Sequence, residues 1–274
     1  MSVALLFPGQ GTQHGGMLRW LDEVDAAQPM LVRMAQVLGG DWRARLDDSA
    51  WAQSNAVAQA LLTGASVAAW RALSSGLPRV VAVAGYSVGE LASCVAAGML
   101  EPEDALALAG RRAAAMDACA DGGGLLALSD VSAGEVAAAA SRWGLEVAIR
   151  TGERRCIVGG ARAALAAAAA ELGARGVMAR PLCVRVPSHT SALRAAVPVL
   201  AQALAGMPWR APRVAWVAGI TGTVVRDPAQ VRRVLAEQVA TTVRWDACMD
   251  TIAERRPGAV LEVGPGTTLT RLWR

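Results

Sequence analysis

Short apolar runs alternate with longer stretches of helical periodicity along the N-terminal part of the chain. Apolar runs at residues 3–7 and 79–84 predict buried strands, and stretches at 55–73, 88–97 and 102–118 predict helices. Such alternation is typical of α/β folds, because each helix buries one face against a sheet. The pattern therefore predicts an α/β fold with a mostly parallel sheet.

Three glycines at residues 122–124 interrupt this alternation, and a second pattern follows them. The elements beyond them have the order β-α-β-β-α-β of a ferredoxin-like unit. They are strands at 125–128, 146–149, 155–158 and 177–184 and helices at 133–143 and 161–172. We expect a large α/β-hydrolase-like subdomain of residues 1–122 and 187–274, and an inserted ferredoxin-like subdomain of residues 123–186.

The composition excludes several classes of protein. The chain has 274 residues, of which 54% are hydrophobic and 18% charged, so it can bury a large core. All 27 basic residues are arginine. The lysine of a phosphate-binding loop, of a protein kinase or of a Schiff base is therefore absent. With His14 and His189 as the two histidines, a histidine-rich metal site is excluded, and we expect no metal.

Charge and cysteine content indicate where the protein works. The net charge is +4, but the arginines are scattered among acidic residues, which favours a solvated surface over nucleic-acid binding. The five cysteines are widely spaced without a Cys-x-x-Cys pair, as expected of free thiols in a reducing compartment. The N-terminus lacks the features of a signal peptide, and no uninterrupted apolar run reaches the roughly 18 residues of a membrane span. We expect a cytoplasmic protein with neither nucleic acid nor membrane as partner.

The strand at 79–84 runs directly into the sequence Gly85-Tyr86-Ser87-Val88-Gly89-Glu90. A Gly-x-Ser-x-Gly pattern between a strand and a helix is typical of a nucleophile elbow. The glycines permit the sharp turn, and the helix that starts there offers free N–H groups at the positive end of its dipole. The pattern predicts Ser87 as a nucleophile, with Glu90 in the first helical turn as a residue favourable to the dipole.

A serine hydroxyl needs a base, and the base must be one of the two histidines. His14 lies in the glycine-rich loop after the first strand, where an exposed loop residue is expected. His189 follows an apolar strand and precedes a helix, at the sheet edge where α/β sites gather. It also follows Ser87 along the chain, as in this architecture. We therefore predict His189 as the base.

Six segments, in chain order, resemble the malonyl-CoA:acyl carrier protein transacylase family. They are Phe7-Pro8-Gly9-Gln10-Gly11-Thr12-Gln13, Gly85-x-Ser87-x-Gly89-Glu90, Arg112 with Met116, Val186-Pro187-Ser188-His189, Gln238, and Glu262-Val263-Gly264-Pro265-Gly266. The resemblance spans almost the whole chain, and the family also carries a ferredoxin-like insert. It implies an acyltransferase that moves malonyl from malonyl-CoA to the prosthetic-group thiol of an acyl carrier protein, without a bound cofactor.

The resemblance also implies a role for each matching site residue. The catalytic residues are Ser87 and His189, and the backbone carbonyl of Gln238 orients the histidine. The backbone N–H groups of Gln10 and Val88 form the oxyanion hole. The guanidinium of Arg112 binds the substrate carboxylate. A guanidinium can bind a carboxylate through two parallel hydrogen bonds. An arginine here would therefore distinguish malonyl, which has a free carboxylate, from acetyl, which has none.

The chain departs from the family pattern at three places. Tyr86 stands where the family usually has histidine, Ala58 stands where a glutamine is usual with Gln59 one place away, and residues 148–152 replace an Asn-rich stretch. A Gly-Tyr-Ser-Val-Gly-Glu elbow resembles the malonyl transferase (epsilon) subunit of bacterial malonate decarboxylase. We predict this branch, with other decarboxylase subunits as further partners; the alternative is a transacylase of fatty-acid or polyketide synthesis.

Two other classes of function remain open on the sequence alone. In a serine hydrolase or thioesterase, one of Asp117, Asp121 and Asp130 would orient the histidine, since all three lie between Ser87 and His189. We expect these aspartates to be cap or turn residues. A non-catalytic scaffold subunit is the third class, and the presence of every reacting group disfavours it.

Overall fold

The computed structural model describes residues 1–120 and 122–273. Its strands are β1 (Ser2–Phe7), β2 (Arg79–Gly85), β3 (Gly123–Ser129), β4 (Glu146–Gly152), β5 (Arg155–Ala161), β6 (Met178–Pro181), β7 (Ala215–Ala218), β8 (Thr223–Val225), β9 (Val243–Arg244) and β10 (Ala259–Glu262). Its α-helices are α1 (Gln28–Leu38), α2 (Ser49–Ala52), α3 (Asn55–Leu73), α4 (Gly89–Ala96), α5 (Pro102–Asp117), α6 (Ala133–Trp143), α7 (Arg162–Gly173), α8 (Ala196–Ala205), α9 (Pro228–Glu237), α10 (Trp245–Ala253) and α11 (Thr268–Leu272).

The first sheet has the strand order β10-β1-β2-β7-β8. Its first four strands run parallel, and β8 pairs antiparallel with β7 at one edge. This confirms the predicted α/β class with a mostly parallel sheet. The carboxyl ends of β1 and β2 lie side by side, since Phe7 pairs with Gly85. In parallel sheets ligands bind at that edge, so the loop after β1 and the turn after β2 meet where a site is expected.

Side chains of β1 are buried on both faces of this sheet. Val3, Leu5 and Phe7 belong to the core formed with the helices on one side, whereas Ala4 and Leu6 belong to a second core on the other side. This follows from the period of two along a strand. A central parallel strand covered on both faces reads as an unbroken apolar run, and for that reason β1 was recognisable from the sequence.

The second sheet has the strand order β6-β3-β5-β4-β9. Its first four strands pair antiparallel, and together with α6 and α7 they form the predicted ferredoxin-like unit. Strand β9 comes from the part of the chain after this unit and pairs parallel with β4, which the sequence did not indicate. A two-residue strand has no periodicity of its own, so its pairing depends on tertiary placement. The exact subdomain limits 1–122, 123–186 and 187–274 stay a prediction.

Most predicted elements agree with the observed ones to within a few residues. The helices at 55–73 and 133–143 have the predicted bounds. The strand predicted at 177–184 is shorter, because β6 ends at Pro181. Proline has no N–H to donate, and β6 is an edge strand, where proline is tolerated and pairing can stop.

One helix of the described structure is long and apolar enough to cross a membrane by length and composition. It covers Asn55–Gly76, and 67% of its most apolar window is buried inside the fold. This helix is α3 with its C-terminal extension, and it packs against α1, α4 and α5 as a core element. Cytoplasmic localisation stays a prediction.

Candidate active site

Ser87 occupies the turn between β2 and α4 and has a φ angle of +56°. A Cβ atom at Gly85 would lie 2.1 Å from the backbone nitrogen of Glu90, and one at Gly89 would lie 2.2 Å from the carbonyl oxygen of Phe7. Neither distance is possible for a side chain. The turn can therefore form only with glycine at both positions, which is the steric basis of the Gly-x-Ser-x-Gly pattern.

The serine hydroxyl lies 2.8 Å from Nε2 of His189, a residue more than 100 positions away in sequence. Nδ1 of the same imidazole lies 2.7 Å from the backbone carbonyl oxygen of Gln238. Since a carbonyl can only accept, Nδ1 carries the proton and Nε2 is free to accept from the hydroxyl of Ser87. The ring therefore has the tautomer that a general base for this serine requires.

Burial keeps this imidazole uncharged. His189 is 2% exposed, and desolvation, together with the positive charge of Arg112, lowers its pKa to about 3, although the hydrogen bond to Gln238 acts in the opposite direction. The histidine is therefore neutral at physiological pH, which is the form in which Nε2 can accept a proton.

Arg112 lies on α5 with its side chain buried, at 4% exposure, next to the serine and histidine. Its Nη1 donates to Oε1 of Gln59 at 2.8 Å, and its Nη2 donates to Oε1 of Gln238 at 2.7 Å. No ion pair of the described residues includes it. Burial lowers its pKa to about 10, so the guanidinium stays protonated near neutral pH. Its neighbour Arg111 is exposed on the same helix.

Gln238 connects the three groups. Its backbone carbonyl accepts from His189, its side-chain oxygen accepts from Arg112, and its Nε2 donates to the backbone carbonyl of Ser87 at 3.0 Å. The sequence indicated only the backbone contact. The side-chain contacts are additional, and they place the turn at Gln238–Ala240 between the base and the arginine.

The proposed oxyanion donors are free to bind a ligand. Within the described residues, neither the backbone N–H of Gln10 nor that of Val88 donates to an acceptor. The side chain of Gln10 donates to Oδ1 of Asn55 at 3.1 Å, and the same oxygen accepts from Nε2 of Gln59 at 2.8 Å. Hydrogen bonds therefore run without a break from the loop after β1 to Arg112.

Two members of this chain of hydrogen bonds were not among the predicted site residues. Gln59 is the glutamine that holds the arginine, although the family pattern suggested position 58. The family pattern therefore indicated this glutamine, but at the position immediately before the one it occupies. Asn55 gave no signal, because its contact with Gln10 joins residues 45 positions apart.

A cleft of about 510 Å³ lies beside Tyr86, the residue before the serine, between the large subdomain and the second sheet. Gln10 and Tyr86 line it from one side, and Arg155 and Arg180 line it from the other. The Tyr86 ring packs edge-on against Trp245 with centroids 5.2 Å apart, and burial raises the pKa of its hydroxyl. Volumes of this order are typical of sites for small-molecule ligands.

The remaining candidates lie away from the reacting atoms. His14 is exposed in the loop after β1. Asp117 and Asp130 are exposed, and Asp117 accepts from Asn55, not from His189. Asp121 lies outside the described residues. No cluster of three or more metal-ligating side chains occurs in the described ranges.

Comparison with known proteins gives the family. Residues 4–274 match the model of the acyl transferase domain. The malonyl CoA-acyl carrier protein transacylase of Mycobacterium tuberculosis (strain ATCC 25618 / H37Rv) is 32% identical over 277 residues, covering 98% of this chain and 91% of that protein.

Two solved structures extend the likeness to the whole fold. An acyl-carrier-protein S-malonyltransferase from Burkholderia pseudomallei 1710b superposes with a TM-score of 0.91 at 32% identity, covering 99% of this chain and 92% of the other. A malonyl-transacylase in complex with a type II polyketide acyl-carrier protein gives a TM-score of 0.91 at 26% identity, covering 99% and 92%. The chain belongs to the acyl transferase family, and it is an acyltransferase.

Proposed function

We propose that the protein is a malonyl-CoA:acyl carrier protein malonyltransferase that works through a malonyl ester on Ser87. The observation that carries this proposal is the environment of Arg112, a buried guanidinium whose hydrogen-bond partners are the neutral amide oxygens of Gln59 and Gln238. Those two bonds leave one N–H free on each terminal nitrogen. A buried cation lacking a counter-charge is costly, and a substrate carboxylate would supply that charge.

The first half of the reaction transfers malonyl to the enzyme. His189 Nε2 takes the proton of Ser87 as Oγ attacks the thioester carbonyl, and the oxyanion forms beside the N–H groups of Gln10 and Val88. The intermediate collapses with cleavage of the carbon–sulfur bond, and the CoA thiolate leaves with the proton from the imidazolium. The carbonyl of Gln238 holds the imidazole in the required tautomer during both proton transfers.

The second half reverses these roles. The carrier-protein thiol gives its proton to His189 and attacks the malonyl ester, and Ser87 leaves with that proton as its ester bond breaks. No cofactor is required for either half. Because the charge of Arg112 lowers the pKa of His189, a malonyl carboxylate on the arginine would offset this effect and strengthen the base.

The cleft beside Tyr86 suits the arm shared by CoA and the carrier protein. A pantetheine chain is long, narrow and largely uncharged, whereas its phosphate is anionic. Arg155 and Arg180 on the wall of the cleft supply positive charge for that phosphate. Malonyl-CoA and a holo-acyl carrier protein are therefore the two substrates in this proposal.

The metabolic branch with most support is fatty-acid or polyketide synthesis. The similar proteins carry the names malonyl CoA-acyl carrier protein transacylase and type II polyketide malonyl-transacylase. The malonate decarboxylase branch rests on the Gly-Tyr-Ser-Val-Gly-Glu elbow alone and stays a prediction. Offering the purified enzyme both types of carrier protein and comparing transfer rates would separate the two branches.

Replacing Arg112 by alanine tests the proposal. Removing one partner of a buried, charge-assisted carboxylate pair typically costs about 2–5 kcal/mol of binding free energy. This loss corresponds to a decrease of roughly 30- to several-thousand-fold in kcat/KM. Arg112→Ala should lose this factor with malonyl-CoA and retain acylation by acetyl-CoA. Intact mass of the enzyme after mixing, followed by transfer to holo-carrier protein, measures both steps.

The exposed neighbour Arg111 supplies the matched control. Arg111→Ala removes the same charge from the same helix and should leave the malonyl-to-acetyl ratio unchanged. An equal change in the two variants would contradict the proposal, and so would a malonyl ester that water hydrolyses within one turnover. The latter result would support the hydrolase alternative.

A further inference from the structure

Glu90 is a buried carboxyl group that the mechanism above does not use. It lies in the first turn of α4, as predicted, but its side chain turns into the protein and is 1% exposed. One carboxyl oxygen accepts the backbone N–H of Gly219. The other has no hydrogen-bond partner among the described residues. A carboxylate with one oxygen unsatisfied in a dry environment is strongly disfavoured relative to the neutral acid.

The same residue borders the reacting groups. Glu90 lines a cavity of about 10 Å³ together with Ser87, Arg112 and Gln238, and leucine side chains complete its wall. This volume has room for about one water molecule at most. Glu90 does not form an ion pair with Arg112 within 4 Å among the described contacts. The arginine therefore keeps its free N–H donors for a ligand, and it is still close enough for its positive charge to lower the pKa of Glu90.

The charged and titratable groups around Glu90 act in known directions. Burial raises the pKa of Glu90 to about 8. The hydrogen bond from the Gly219 backbone, the side-chain amide of Gln238 and the positive charge of Arg112 act in the opposite direction. A substrate carboxylate on the arginine would cancel that charge and raise the pKa of Glu90 further. The thiols of Cys94 and Cys248 also face this glutamate, and burial holds the pKa of both well above the usual thiol value. Burial therefore favours the neutral form of both thiols, and burial of His189 lowers its pKa to about 3, so the imidazole is neutral as well.

We propose that Glu90 sets the preference of the site for a carboxylate-bearing acyl group, by taking up a proton when malonyl binds to Arg112. In the ionised form, Glu90 competes with the substrate for the positive charge of the arginine. In the acid form, the site holds one net positive charge, which a malonyl carboxylate neutralises. The proton comes from solvent and adds to the Glu90 carboxylate, so no other bond changes. Acetyl brings no charge and needs no such proton. The inference rests on the proposed malonyl transfer.

The pH dependence of substrate preference tests this role. The quantity kcat/KM reports titration of the free enzyme, and a group with a pKa of about 8 loses its neutral form about tenfold between pH 7 and 9. The malonyl-to-acetyl ratio of kcat/KM should therefore fall about tenfold over this range in the wild type, mainly through KM. In Glu90→Gln, which imitates the neutral acid and can still accept from Gly219, the ratio should not change with pH.

The control variant is Glu103→Gln, an exposed carboxyl on the helix that carries Arg112. It should retain the pH dependence of the wild type. A ratio that does not vary with pH in the wild type, or that varies equally in Glu90→Gln, would overturn the inference.

A direct count of protons uses only the wild type, so it holds even if the Glu90 variant does not fold. In weak buffer at pH 8 with an indicator dye, acylation by malonyl-CoA should take up as much as about half a proton more per Ser87 than acylation by acetyl-CoA, because Glu90 is about half ionised there. The released CoA thiol contributes equally to both reactions. Equal proton counts would contradict the role of Glu90, whereas absence of a malonyl mass shift on Ser87 would contradict the proposed function itself.

Discussion

At the scale of single residues, the two reacting side chains share an unusual backbone conformation. Ser87 and His189 have φ angles of +56° and +65°, in a region that non-glycine residues rarely occupy. Strain of this kind persists where the surroundings hold the backbone in place. The turn between β2 and α4 holds the serine, and the carbonyl of Val239 accepts the N–H of the histidine at 2.7 Å.

The two histidines should differ sharply when each is replaced by alanine. His189→Ala removes the base that lies 2.8 Å from the serine hydroxyl and should slow acylation by about 10²- to 10⁴-fold, the usual contribution of a general base. His14→Ala changes an exposed loop residue and should have little effect. Rapid-quench measurement of the Ser87 ester gives both rates, and a larger effect at His14 would show that the base has been misidentified.

At the scale of elements, the junction of β2 and α4 controls the geometry of the nucleophile. The first strand, the turn and the new helix come so close together that glycines are required on both sides of Ser87. The helix then begins directly after Val88, whose backbone N–H has no acceptor among the described residues. This junction can be recognised from the sequence because the close approaches that require glycine are local or involve the neighbouring strand.

Glycine-to-alanine substitutions at two positions should have opposite effects on stability. Gly85→Ala places Cβ 2.1 Å from the Glu90 nitrogen, and this overlap should cost about 1–3 kcal/mol or more and move Ser87 away from His189. Gly110→Ala lies in α5 with no atom within 4 Å of the new Cβ, and it should gain up to about 1 kcal/mol from helix propensity.

Urea unfolding and acylation rate measured on both variants check this prediction. Gly110 is the matched position because α5 also carries Arg112. Similar losses of stability and activity in the two variants would mean that the elbow tolerates a side chain and that the close approach is not required.

At the scale of the whole molecule, the site is assembled from both ends of the chain and depends on burial. In sequence, Ser87 precedes the ferredoxin-like unit and His189 follows it, and folding brings the two side chains together. Strand β9, which comes later still in the sequence, pairs with β4 of that unit. The buried, neutral His189 makes the stability of this assembly sensitive to acid, because folding lowers its pKa from the ordinary value of 6.5 to about 3.

The direction of this pH effect follows from linkage. A group whose pKa is lowered by folding contributes stability that is present above pH 6.5 and is lost as the pH falls toward 3. Between pH 7 and 5 the wild type should therefore lose about 2 kcal/mol more free energy of unfolding than His189→Gln, which cannot titrate. Urea titrations at several pH values measure the difference, with His14→Gln as the exposed control. Parallel curves for wild type and His189→Gln would show that the histidine is not buried in the neutral form.

Local patterns in the sequence determined the elements and the reaction centre. Strand β1 is an unbroken apolar run and helix α3 is rich in alanine and leucine. The glycines around Ser87 encode a turn that few other residues could form. The order of elements was sufficient to predict the ferredoxin-like unit, because its pairing follows from a known motif. The chain has no lysine and two histidines, and the position of His189 after an apolar strand favoured it over His14 as the base.

Only the tertiary structure decided how charge is distributed around that centre. Gln59 and the side chain of Gln238 hold Arg112 across 53 and 126 positions of sequence, and no pattern of spacing reports such contacts. The sequence indicated Glu90 as a residue favourable to the helix dipole, whereas packing against Gly219 buries it beside the arginine. Burial and the distance between charges set a pKa, and both depend on how distant segments of the chain pack together.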